Sequence, residues 1–152
     1  MEEPWLSKEF QEWLIDFLKE SKDIFEFGSG YSTIKLDKLP GNLISVEHDE
    51  RWYNKISPKI KNSDYKLLHP EEYHESILKY NKEFDLIIID GIYRMRCLKA
   101  SLKQIKNNGF IVLDDSERKK YEPIKKLLEK YKKIEIKENE KETTIWEITK
   151  KI

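Results

Sequence analysis

At 152 residues the chain is about one domain's worth and leaves no room for a separate substrate domain. Leu, Ile, Val and Phe exceed the roughly one-fifth share below which a highly charged chain stays unfolded, so a single hydrophobic core is expected. With 29 Lys and Arg against 29 Asp and Glu the formal net charge is zero, which excludes the global basic field of an electrostatic nucleic-acid binder and makes such a partner unexpected.

Apolar runs such as residues 86–89 fall far short of the ~20 needed to cross a bilayer, so no membrane span is expected. The opening Met1-Glu2-Glu3-Pro4 is acidic and lacks the basic, apolar and small-residue succession of a signal peptide, which predicts a cytoplasmic protein. Cys97 is the only cysteine. An internal disulfide and a Cys-rich zinc site are thereby excluded, and the thiol is expected to be an inert small apolar side chain within a helix.

In chain order, Leu6, Phe10, Trp13, Leu14, Phe17 and Leu18 mark one face of a helix over about 7–20, N-capped by Ser7. Five short apolar runs at 24–27, 43–47, 65–68, 84–89 and 110–113 read as strands. Between them, helical spacing predicts helices over 33–39, 50–60, 70–80 and 94–106, the last closed by Asn107-Asn108-Gly109. A further helix is expected at about 121–131. Ile134 and Ile136, the polar turn 138–142 and the run 143–149 then lie too close together to be anything but an antiparallel hairpin. The alternation predicts an α/β domain: a doubly wound, Rossmann-like sheet of seven strands, mostly parallel, with an antiparallel last strand and helices on both faces. No repeat or linker divides it, so one domain is expected over the whole chain.

Ligands of such sheets bind beyond the carboxyl ends of the strands. After the first strand comes Glu26-Phe27-Gly28-Ser29-Gly30-Tyr31-Ser32-Thr33, in which Gly28 and Gly30 permit close approach or positive φ and Ser32 or Thr33 can cap the next helix. A lone Gly-x-Gly fits an ordinary tight turn equally well. Glu26, however, is an acid inside an apolar strand, and burying its charge costs several kcal/mol unless donors meet it. Glu47 ends the second strand 19 residues after Gly28, about the spacing at which an acid takes ribose hydroxyls. Together these describe a nucleoside-bearing cofactor. Thr33 stands where a dinucleotide fingerprint carries its third glycine, which favours a smaller ligand than a dinucleotide.

The fourth and fifth strands end in Asp90 and in Asp114-Asp115. Three carboxylates at one edge favour a proton, a cation or a basic group among them, and hard oxygen ligands suit Mg²⁺ or Ca²⁺. Helix capping by the same aspartates is the alternative reading.

The runs 25–33 and 45–49, with Ile89-Asp90-Gly91, Arg96-Cys97 and Leu113-Asp114-Asp115, resemble a class I S-adenosylmethionine-dependent methyltransferase, a small, single-domain, O-methyltransferase-like member. The resemblance covers nearly the whole chain, including the terminal reversed strand that separates this fold from the dinucleotide-binding one. It implies S-adenosyl-L-methionine as cofactor, with Glu26, Gly28, Gly30, Ser32 and Thr33 around its methionine part, Glu47 on the ribose, His48 beside the adenine and Asp90 near its amine. His69-Pro70 occupies the place where an acid would help to hold adenine. Metal-dependent O-methyltransferases further imply Mg²⁺ on Asp90, Asp114 and Asp115; a Lys expected three residues after the first acid is replaced by Tyr93. Asp90 or Asp115 is then the expected base for an acceptor hydroxyl, with Tyr93 a further catalytic candidate.

A small-molecule acceptor is expected, completed by the second subunit of a homodimer if one forms, because no insertion is long enough for a dedicated lid. Arg94 and Arg118, close after the strand ends, could steer an anionic acceptor, whereas Lys99, Lys103 and Lys106 fit a solvated helix face. Trp5 and Trp13 either pack on the sheet or close over the acceptor. Two other readings stand beside methyl transfer: a non-catalytic module that binds the cofactor or a protein, and an NAD-dependent oxidoreductase, which the missing third glycine and the hairpin oppose.

Overall fold

The computed structural model describes residues 7–150, so Trp5 lies outside the described residues. In chain order the elements are α1 (Lys8–Phe17), β1 (Asp23–Phe27), α2 (Tyr31–Asp37), β2 (Asn42–Glu47), α3 (Glu50–Ile56), β3 (Asp64–Leu67), α4 (Pro70–Tyr73), β4 (Phe84–Ile89), α5 (Arg94–Gln104), β5 (Ile105–Leu113), α6 (Glu122–Leu127), β6 (Lys132–Glu138) and β7 (Lys141–Ile148). The strands form one sheet in the order β3-β2-β1-β4-β5-β7-β6. Pairing is parallel from β3 through β5, and β7 runs antiparallel to both its neighbours. The reversed strand is therefore the last in the chain but sits one place in from the edge, which β6 forms. That insertion departs from the 3-2-1-4-5-6 order of dinucleotide-binding sheets and so weighs against the NAD reading, as the terminal hairpin does. Among the described residues no helix is long and apolar enough to cross a membrane.

Alternate residues of the central strands feed two cores. Phe25, Phe27, Ile87, Ile89, Ile111 and Leu113 face Tyr73, Ile77, Cys97 and Leu98 of the chain after β3 and of α5. Ile24, Leu86, Ile88 and Val112 face Phe10, Leu14 and Leu18 of the first helix segment and Leu36 of α2. Burial on both faces explains why β4 reads as an unbroken apolar run. Ser7 caps α1 by accepting from the Phe10 amide at 3.1 Å, and Trp13 stacks on Phe17 with its edge to Phe110, so this tryptophan packs rather than covering an acceptor. Cys97 is buried and burial pushes its thiol up to about 12, in keeping with an inert side chain.

Five helices are shorter than their periodicity predicts: α1 and α6, expected over 7–20 and 121–131, span Lys8–Phe17 and Glu122–Leu127, and three others end early for visible reasons. The expected helix 70–80 is one turn, Pro70–Tyr73, followed by a 3-10 turn at Ser76–Lys79, because the Ser76 hydroxyl donates to the Tyr73 carbonyl at 2.7 Å and competes with the helical ladder. Helix α3 stops at Ile56, where Pro58 sits in a 3-10 turn. Helix α5 ends at Gln104, whose amide donates to the Tyr80 and Lys82 carbonyls, and Ile105 leaves to pair with Phe84. The register then shifts before Leu86 meets Phe110, with Asn108 at φ 65°, so the Asn-Asn-Gly segment is a bulge in β5 instead of a helix stop. Lys106, expected on the helix face, pairs with Asp85 at 3.2 Å.

Two constraints set the site edge. Gly28 has φ +92°, and a Cβ there would lie 2.6 Å from the Asp90 carbonyl group, so the loop after β1 presses directly on the backbone after β4. The β6–β7 hairpin is tied to the chain after β5 through Glu142, which accepts from Ser116 Oγ and Lys125 Nζ, both at 2.7 Å, while Glu117 accepts from the Glu142 amide. Burial would raise the Glu142 carboxyl, but the Lys125 and Ser116 bonds override it and hold the group at about 2.

Gly28→Ala is expected to destabilise the fold by more than about 1 kcal/mol, read as a lower urea midpoint at unchanged slope. Because Glu142 is depressed below its ordinary 4.5, its stabilisation is complete above that pH and fades as pH falls toward 2. Glu142→Gln should therefore lose stability at pH 7 and flatten the acid limb of a stability–pH curve; an unchanged limb would contradict the assignment.

Candidate functional site

Glu26 projects from β1 toward the start of α2 and is 1% exposed. Its Oε1 accepts from Thr33 Oγ1 at 2.5 Å and Ser45 Oγ at 2.7 Å, and its Oε2 accepts from Ser32 Oγ at 3.2 Å. Thr33 Oγ1 in turn accepts from the Gly30 amide at 2.9 Å, so one threonine links the loop to the buried acid. Desolvation outweighs these three hydroxyls and raises the Glu26 carboxyl from 4.5 to about 7. The donors that the strand acid needs are side chains of the chain itself. Gly30, at φ 172°, is in ordinary extended backbone, and a Cβ there would meet Trp52 only at normal contact distance, so its value lies in the bare loop surface and not in strain.

Glu47, at the end of β2, is buried and fully met by donors. Its Oε1 accepts from the Ser29 amide at 3.0 Å and Ser29 Oγ at 2.6 Å, and its Oε2 from the His48 and Asp49 amides at 3.1 and 3.0 Å. Ser29 Oγ also lies 2.5 Å from Tyr65 Oη, and Trp52 Nε1 donates to the Ser29 carbonyl at 2.7 Å. The acid therefore staples the Gly28–Gly30 loop across the end of β2. A ribose diol binding here would take the place of the rotatable Ser29 hydroxyl, which has Tyr65 as its other partner. Tyr53 packs on Tyr65 with ring centroids 4.6 Å apart, and His69 is exposed at the start of α4.

At the ends of β4 and β5, one carboxylate oxygen from each of Asp90, Asp114 and Asp115 lies within 4.8 Å of the others. Their charge is partly met from within. Arg94 is buried; its Nη2 donates to Asp90 Oδ1 at 3.2 Å, its Nη1 to the Asp114 carbonyl at 2.5 Å and its Nε to the Gly91 carbonyl at 3.0 Å. Its guanidinium also stacks 4.5 Å from the Tyr121 ring centre. This corrects the expectation that Arg94 steers an acceptor: it is committed to the strand ends. Thr143 Oγ1 donates to Asp114 Oδ1 at 2.9 Å, and Arg118 pairs with Asp115 at 3.6 Å while remaining half exposed. Burial first, then the neighbouring Asp114, push the Asp90 carboxyl well up despite Arg94; burial and Asp115 raise Asp114. Tyr93 and Asp115 both occupy the left-handed region, at φ 51° and 52°, on adjacent strand ends. Tyr93 is 45% exposed, with Arg96 over its ring and His74 edge-on to it.

One group on this edge, Tyr73, escaped the sequence reading, and His48, expected beside the adenine, lies against it. Tyr73 is wholly buried, its hydroxyl lies against Gly91, and it has no hydrogen-bond partner among the described residues. His48 packs edge-on to the Tyr73 ring at 5.8 Å, and its buried Nδ1, 3.4 Å from Glu47 Oε2, lacks a well-aligned partner. Spacing alone makes Tyr73 a helix-face residue; only the short α4 turn brings it under the strand ends.

No protein-family model matches the chain, and no curated protein matches it in sequence. Solved structures do match in fold. A methyltransferase-like protein from Silicibacter pomeroyi is 19% identical at TM-score 0.71, with 97% of this chain and 89% of that chain covered. A proposed O-methyltransferase from Klebsiella pneumoniae is 18% identical at 0.75, covering 95% and 82%, and an rRNA methylase from Streptococcus thermophilus is 11% identical at 0.74, covering 93% and 95%. The fold is thus that of the class I methyltransferases.

Since the Glu26 carboxyl is raised in the folded state, it binds a proton there at pH values where the unfolded chain has lost it. Stability from this group is full below pH 4.5 and falls as pH rises toward 7. Glu26→Gln should remove that decline, measured as the difference in melting temperature between pH 5 and pH 8 relative to the parent protein.

Proposed function

We propose that the chain binds S-adenosyl-L-methionine across the ends of β1 and β2 and transfers its methyl group to a small acceptor, at oxygen, beside the end of β4. The observation that carries this reading is the convergence on one sheet edge of the Gly28–Gly30 loop, Glu47, His48 and Asp90 in this fold. The polar groups fit the cofactor: the Tyr73 hydroxyl against Gly91 and His48 Nδ1 beside Glu47, both without a hydrogen-bond partner among the described residues, leave buried hydrogen-bonding capacity on this edge.

When bound, S-adenosyl-L-methionine supplies an electrophilic methyl group on a sulfonium. Glu47 holds the ribose hydroxyls in exchange for Ser29 Oγ, while Glu26, Ser32 and Thr33 set the loop that lines the methionine part. Asp90 is placed to take the acceptor's hydroxyl proton, so that the oxygen could receive the methyl group that bound S-adenosyl-L-methionine would supply. Its raised proton affinity suits a base, and Arg94 stabilises the charged form before the proton arrives. Asp115 is the second acid within reach of that oxygen, and Tyr93 forms the wall beside it. The three aspartates also offer oxygen ligands for Mg²⁺, but Arg94 already places a cation on Asp90, so we favour the carboxylate as base.

Unfolding in the presence of S-adenosylmethionine or S-adenosylhomocysteine tests this. A ligand at a hundred times its dissociation constant should add about 2.7 kcal/mol of stability. The gain should vanish in Glu47→Ala and in the more conservative Glu47→Gln, whereas Asp90→Asn should bind and lose methyl transfer. No gain with either compound would overturn the reading, and a further Mg²⁺ gain abolished by Asp114→Ala would move the chemistry to a metal.

A further inference from the structure

Beside the carboxylate edge, a cleft of about 580 Å³ runs from Gly91 to the start of α6. Its walls are Ile92, Tyr93, Met95, Tyr121, Pro123 and Ile124, and Arg94 lines it with a guanidinium each of whose three nitrogens already bonds Asp90 or a carbonyl. Lys120 lines it as well: its ammonium lies 5.2 Å from the centre of the Tyr121 ring, is exposed, and makes no ion pair among the described residues.

We propose that this cleft is the acceptor site and takes a planar aromatic carboxylate, its ring against Tyr93 and Tyr121, its carboxylate on Lys120 and its hydroxyl at the Asp90–Gly91 corner. The chemistry of the lining selects this class. Two tyrosine rings with Met and Ile favour a flat apolar body. One uncommitted ammonium matches a single negative charge, whereas a phosphate would call for a guanidinium free of other ion pairs, and Arg94 is already paired with Asp90. Glu117 precedes the basic run from Arg118 to Lys126 and Glu122 interrupts it, so the run offers no continuous track for a phosphodiester backbone. The assignment rests on methyl transfer for its chemistry but not for binding.

Calorimetric titration of the full chain with 4-hydroxybenzoate, phenol, hexanoate and uridine 5′-monophosphate, each with and without S-adenosylhomocysteine, tests it. The hydroxybenzoate should bind more tightly than phenol or hexanoate, and Lys120→Ala should weaken it up to about fivefold, the range of an exposed ion pair, while leaving phenol unchanged. Failure of the hydroxybenzoate to bind, equal binding of hexanoate, or indifference to Lys120→Ala would overturn the proposal, and tighter binding of the nucleotide would replace an aromatic acid with a nucleotide. Binding of S-adenosylhomocysteine without any aromatic ligand would sink the cleft alone. Aromatic binding without S-adenosylhomocysteine would sink only the cofactor reading.

Discussion

A carboxylate buried in the central strand governs the site edge. Glu26 cannot reach water, so the chain surrounds it with the hydroxyls of Thr33, Ser32 and Ser45. Those bonds reach the loop after β1, the first turn of α2 and the neighbouring strand β2. Thr33 does double duty by taking the Gly30 amide, which holds the glycine loop at a set height over the strand ends. Glu47 repeats the device one strand over, with Ser29 as its partner. The loop is thus pinned from below by one acid and from the side by another.

The same pattern of acids and donors explains what the sequence discloses and what it hides. The strands, their parallel order and the terminal hairpin are legible because period-two and unbroken apolar runs report burial directly, as at residues 84–89. The Gly-x-Gly turn and the spacing to Glu47 are legible because backbone approach and hydroxyl recognition need those residue types. Thr33 at the third-glycine position reads only as a departure; its role as a hydrogen-bonding bridge depends on Glu26 facing α2. Ser45 is equally silent, since its partner is 19 residues away across a strand pair. Arg94 reads as one of several cations at the start of a helix, and only the fold shows it turned inward among carbonyls. Helix ends are the least legible feature, because Ser76 ends its helix by bonding the carbonyl three residues back and Gln104 ends its own by bonding backbone 24 residues away.

Charge balance gives the second organising rule. Asp90, Asp114 and Asp115 crowd one edge, and a single buried guanidinium answers them, which leaves excess negative charge that raised proton affinity absorbs in part. The hairpin shares in this balance. Thr143 steadies Asp114, while the adjacent Glu142 engages Lys125 and Ser116. The reversed strand β7 thereby does more than close the sheet, since it sets the height of the aspartates after β5.

The short chain makes that economy necessary. With no insertion between strands long enough to form a lid, the walls this chain itself gives the cleft come from helix starts. Those are the places where Tyr93 and Tyr121 stand. Arg94 joins the two: its guanidinium bonds the Asp90 carboxylate and stacks on Tyr121, so the cleft wall and the candidate base share one rigid side chain.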